Sequence, residues 1–173
     1  MNFQNVWLKY GVIAGLALIA TSIAMFYLLD LGLFTQAAVI YIVSLIFMVI
    51  AGLEFRKNNQ DVMLYGEAFK ITYLTTLVGF AISSLFSYAL ITFIDPELID
   101  VLIEKYSGST RDLMASMGAP EEEINKALEK MEEDMPKQFT GIGMAQSLFT
   151  NAVISAILAA IVSIFLRKDE KPV

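Results

Sequence analysis

The chain contains no cysteine and no histidine. Without cysteine there is no disulfide, thiolate metal site, iron–sulfur cluster or thiol nucleophile. The redox compartment is also unreadable from cysteine usage. Without histidine the commonest metal ligand, the usual haem ligand and the usual general base near neutral pH are missing. Charge is scarce too, but only locally. Three long apolar blocks carry no charged side chain and a fourth carries one. Transporters and proton pumps usually keep ionisable groups within the membrane. Their scarcity here argues against an autonomous ion-coupled transporter, though not against an accessory subunit.

What is present is apolar. Of the 173 residues, 57% are hydrophobic, against roughly 45–50% in soluble domains. The excess lies in four blocks, at about 11–29, 34–53, 68–94 and 142–166. Each is long enough as a helix, at ~1.5 Å per residue, to cross a ~30 Å hydrocarbon core. Trp7, Tyr10 and Tyr27 flank the first block as interfacial aromatics do. That block is too long for the h-region of a signal peptide, and Asp30-Leu31-Gly32-Leu33 leads straight into the second. A turn so short predicts an antiparallel helical hairpin. Asp95-Pro96 closes the third block, because proline disfavours α conformation in the residue before it. Arg167, Lys168 and Lys171 follow the fourth. The expected fold is all-α: an integral-membrane four-helix bundle with a short, acidic, helical extracytoplasmic segment over 95–140.

Lys9, Arg56, Lys57, Lys70 and the C-terminal basic residues alternate as four spans with both termini in the cytoplasm require. The long segment then faces outward. From Asp95 to Phe139 it holds 12 acidic and 5 basic residues. The net charge of −6 disfavours a nucleic-acid partner, which would want a basic face. Pro96 is expected to begin a short helix with Ile99, Leu102, Ile103 and Tyr106, and Ser107-Gly108-Ser109 to break it. Ser109 or Thr110 would cap a second helix that ends at Gly118. Pro120 would start a third, with Glu121, Glu122 and Glu123 at its positive dipole end and an apolar stripe of Ile124, Leu128, Met131 and Met135. The acidic runs lack the oxygen-ligand spacing and turn glycine of a calcium loop, so they read as solvated helix faces. Met131 and Met135 are either an adaptable docking face or the segment's own small core.

No catalytic, metal or cofactor signature is visible, and no cofactor is expected. Several residues still mark interaction or packing positions. Glu67 and Lys70, three apart on one helix face, are expected to pair and position the third span. That span is rich in hydroxyls: Thr72, Tyr73, Thr75, Thr76, Ser83, Ser84, Ser87 and Tyr88. They line a polar groove or bond back to their own carbonyls and neighbouring helices, the second reading standing ahead. Small residues recur at four-residue spacing at Gly11/Gly15, Ala152/Ala156/Ala160 and Ser155/Ala159/Ser163. Such a pattern lets helices approach closely, within the bundle or along a homo-oligomeric seam. Gln146 and Asn151 add polar groups to the fourth span.

Three stretches carry a family resemblance. They are Gly66-Glu67-Ala68-Phe69-Lys70 entering the third span, Phe93-Ile94-Asp95-Pro96 leaving it, and Ile154-Ser155-Ala156-Ile157-Leu158-Ala159-Ala160-Ile161 before the terminal basic cluster. In these the chain resembles the four-span membrane proteins of the domain of unknown function 4199 family, common in Bacteroidota, over nearly its whole length. The family pattern often has glycine where this chain has Thr72, which weakens a close-packing role there. The resemblance implies an inner-membrane location and a Gram-negative source, and brings no established activity. Members look often encoded near polyprenyl-phosphate glycosyltransferases, which implies such an enzyme as a partner.

The first functional expectation is a non-enzymatic scaffold or accessory subunit, surrounded by membrane lipid and docking a protein partner. The alternative is a small transporter or lipid-handling protein using the hydroxyl-rich third span. A membrane enzyme comes last, since it would need Asp95, Glu67 or Asp61 to act with a borrowed metal.

Overall fold

The computed structural model describes residues 3–29 and 31–168, with side chains from Val6 onward. Six α-helices follow in order: α1 (Phe3–Tyr27), α2 (Leu33–Asn58), α3 (Tyr65–Ala89), α4 (Leu98–Ser116), α5 (Glu121–Gln138) and α6 (Gly141–Leu166). A π-helical turn, Leu90–Ile94, extends α3. Four of these stretches are long and apolar enough to cross a membrane: Val6–Tyr27, Leu33–Asn58, Tyr65–Ile94 and Gly141–Leu166. The helices overrun the uncharged blocks. The second, expected to end at Leu53, continues through Glu54, Arg56 and Lys57 to Asn58. The apolar run marks only what hydrocarbon tolerates, whereas the helix goes on while its backbone stays bonded. Several hydroxyls inside the spans bond back one turn, as Thr21 does to Ala17 O (2.8 Å) and Ser44 to Ile40 O (2.9 Å), which satisfies them without a partner helix.

Helix α3 is central and packs on α1, α2 and α6. Its seam with α1 is built from small residues. A methyl added at Gly11 would lie 2.8 Å from Val78 Cβ, and one at Gly15 2.8 Å from Ile82 Cβ. On α6, the buried residues Ser155, Ala159, Ser163 and Leu166 form one stripe, with Ser163 Oγ 3.5 Å from Thr72 Oγ1 on α3. The glycine pair thus serves packing inside the bundle. Thr72, fully buried at the α3–α6 seam, is a close-packing position even though it is not glycine.

The two ends of the bundle differ. At one, here the basic end, Val6, Ala51, Phe55, Met63, Ala68, Ile71 and Leu166 form a core. The chain leaves α2 through Gln60 and Asp61, both left-handed (φ 54° and 61°). Met63 and Lys168 then exchange both backbone hydrogen bonds, each 2.9 Å, closing α2–α3 against the end of α6. Asp61 pairs with Arg56 (3.3 Å) and with Lys168.

At the other end α4 and α5 fold back as a hairpin turning at Gly118 (φ 78°). Leu98, Leu102 and Tyr106 present one face of α4. With Met135 they bury against Leu90 and Ile91, flanked by Phe26, Leu33 and Met131. Contrary to expectation, α4 runs unbroken through Ser107-Gly108-Ser109. A mid-helix glycine costs only ~1 kcal/mol, and the packed face outweighs it. Ser107 Oγ also reaches Met131 Sδ (3.8 Å) and Ser109 Oγ bonds back to Lys105 O (3.0 Å). Met131 and Met135 belong to this internal core.

Candidate ligand-binding cavity between α3 and α6

The helices are packed at the basic end and splayed towards the hairpin. Every buried residue of α6 lies between Ser155 and Leu166, and none from Gly141 to Ile154 is buried. The turn from α5 sets this direction. Thr140 caps α6, its Oγ1 accepting from Gly143 N (3.1 Å). A Cβ at Gly143 would lie 2.0 Å from Lys137 O, so only glycine lets α6 leave so sharply.

The splay leaves a cavity of about 330 Å³. Helix α3 lines it with Phe80, Ser83, Ser84, Ser87 and Tyr88, and α6 with Met144, Ser147 and Asn151. Ser22 and Phe26 of α1, Ala37, Ile40 and Tyr41 of α2, and Gln138 and Phe139 from the end of α5 complete the lining. Tyr41 Oη donates to Asn151 Oδ1 (3.1 Å), and its ring meets Phe80 edge-on, 6.0 Å between centroids. No described lining residue is charged. An adjoining hollow of about 470 Å³ shares Gln138, Ser147 and Asn151 and adds Asp134, Lys137, Gln146 and Thr150 at its rim. Lys137 Nζ is already engaged there by Glu133 (2.7 Å) and Asp134 (3.0 Å).

The hydroxyls of the third span therefore divide. Thr72 Oγ1 bonds back to Ala68 O (2.8 Å) and Thr76 Oγ1 to Thr72 O (3.0 Å), both buried in the closed half. Ser83, Ser84, Ser87 and Tyr88 face the cavity. Ser155 Oγ is buried without a hydrogen-bond partner. The Thr72–Ser163 contact sets an antiparallel register that places Ser155 level with Phe80, in the closed half and outside the cavity lining, and Asn151 level with Ser84. Ser22, Tyr41 and Ser147 escaped the sequence reading. Their signal was a polar group within an otherwise apolar block, beside Thr21 for Ser22 and beside Gln146 for Ser147.

The carboxylates do not converge. Glu67 turns back to accept from its own Leu64 N (2.9 Å) as a helix cap, not from Lys70 as expected. The cap satisfies a backbone donor that would otherwise be bare. Asp95 Oδ2 accepts from Tyr27 Oη (2.5 Å) at the far end of α3, ~40 Å from Glu67 by helix rise. Asp61 is held by its two cations at the basic end. Among the described residues no group of three Asp or Glu side chains could hold a metal ion.

Two contacts tie the hairpin to the spans. Tyr106 Oη donates to Gln36 Oε1 (2.6 Å), and Gln36 Nε2 donates to Leu31 O (2.8 Å). Lys105 Nζ donates to Leu29 O (2.5 Å) and Met25 O (3.2 Å) at the end of α1, where a cation suits the helix dipole.

One family model matches the chain, described as "Protein of unknown function (DUF4199)", over residues 9–168. No curated protein matches, and no solved structure does.

Proposed function

The chain belongs to that family of unknown function, and we propose that it is a non-enzymatic inner-membrane protein that holds the polar head of a membrane lipid between α3 and α6. One observation carries this reading: the splayed half of the bundle leaves a half-open hollow lined by hydroxyl and amide groups that lie on the candidate membrane spans. Polar groups facing lipid are unfavourable unless they find partners, and a lipid head supplies them. The scaffold role that the sequence puts first has less support. The methionines it offered as a docking face are spent on the hairpin's own core. In this reading the basic end, with Arg56, Lys57 and Lys168, is cytoplasmic by the positive-inside rule, and the hairpin lies outside.

A lipid carrying a photoactivatable group near its head tests the proposal. With the full chain in lipid nanodiscs, crosslinks are expected on peptides bearing Ser83–Tyr88 and Ser147–Asn151. Labelling confined to outward apolar residues such as Leu16, Ile46 and Ile164 would refute it.

A further inference from the structure

Resting on that reading, we infer that the cavity selects an uncharged, polyhydroxylated group, such as a glycerol or single-sugar head, over a phosphate, carboxylate or ammonium. The lining offers hydroxyls and amides, which both donate and accept, as a ligand's own hydroxyls do. It offers no charged side chain among its described residues. An ion drawn into it would lose water without gaining a counter-ion, which is strongly unfavourable. The neighbouring hollow does not repair this, because Lys137 at its rim is neutralised by Glu133 and Asp134.

Shape points the same way. At about 330 Å³ the cavity sits at the lower end of small-molecule sites, roughly 300–1,000 Å³, so it takes a head group and leaves acyl chains outside. The Tyr41 and Phe80 rings, set edge-on, give an apolar wall for the C–H face of a polyol. Asn151, bonded through its carbonyl oxygen to Tyr41, keeps its amide N–H₂ available.

The test uses the full chain in detergent micelles and native mass spectrometry, titrated separately with monoglucosyl-diacylglycerol, phosphatidylglycerol and free methyl glucoside. Monoglucosyl-diacylglycerol is expected to bind at least tenfold more tightly than phosphatidylglycerol. Ser147→Arg, at the shared mouth of the two hollows, is expected to reverse that order by supplying a cation. A reversal of preference is a readout that mere loss of folding cannot produce, and Ser84→Ala serves as a milder companion expected to weaken glucolipid binding. Equal binding of methyl glucoside would keep the head class and identify a free solute as its source. Tighter binding of phosphatidylglycerol that Ser147→Arg leaves unchanged would overturn the selectivity while leaving a lipid site standing. Retention of none of the three, with no crosslinks in the cavity, would remove both.

Discussion

Replacing Tyr106 by phenylalanine keeps the ring and removes one oxygen. The ring is packed among Leu102, Met135 and Leu33, so no cavity opens, and the whole effect falls on the hydrogen bond. Gln36 and Tyr106 are 3% and 7% exposed, so water does not readily replace the lost donor. An unsatisfied buried acceptor costs about 1–3 kcal/mol. Gln36→Leu strands the phenol and frees Leu31 O, with a similar expected loss. The double variant leaves no orphaned side chain, so it should fall short of the summed single losses by about 1–3 kcal/mol. Equilibrium unfolding in mixed micelles measures the stabilities, and limited proteolysis near Gly118 reports release of the hairpin. Additive losses, or Tyr106→Phe indistinguishable from wild type, would refute the idea that this bond latches α4 to α2.

Burial pushes the Tyr106 phenol up to about 12, so between pH 10 and 12 the unfolded chain releases a proton that the native state retains; stability should fall across that window by about 1.4 kcal/mol per pH unit, and pH-dependent unfolding of Tyr106→Phe should lack that component. Gly143→Ala puts a methyl against the immovable Lys137 carbonyl and should cost about 1–3 kcal/mol. Gly108→Ala meets open space mid-helix and should stabilise by about 0.5–1 kcal/mol; a thermal melt of the pair should show opposite signs. Met63→Ala empties a fully buried site in the basic-end core and should cost about 2–5 kcal/mol, whereas truncating the exposed Met117 should change the melt little.

The spans were legible because hydrocarbon leaves a chain few choices: uncharged runs of sufficient length must be helices. Asp95-Pro96 marked the end of α3, but the π turn before it, with Asp95 N bonded to Leu90 O (2.7 Å), has no signature in residue type. The break at Ser107-Gly108-Ser109 was misread because local propensity is weak beside a packed face, and what α4 packs on comes from residues far away in sequence. The same reason hid the Tyr106–Gln36 bond, whose partners lie 70 residues apart. The cavity was half visible. Hydroxyl enrichment singled out α3, yet only the splay of α6 separates Ser84, which faces a hollow, from Thr76, which bonds to its own helix. The sharp departure of α6 depends on Gly143, which lies inside the fourth apolar block and carries no signal there.

A helix packed closely at one end and loosely at the other can act as a lever. Helix α6 has 26 residues, ~39 Å by rise, so a tilt of roughly 10° about its gripped end carries the other about 7 Å. The pivot would be the basic-end core and the Met63–Lys168 pairing, and the Tyr106–Gln36 and Lys105–Leu29 bonds that hold the hairpin to α1 and α2 would resist the swing. Ligand entry would then register between spin labels at Ala38 and Thr150 while the distance from Leu53 to Ile164 stays fixed; equal changes at both ends would mean that α6 shifts as a whole and that the pivot is not there.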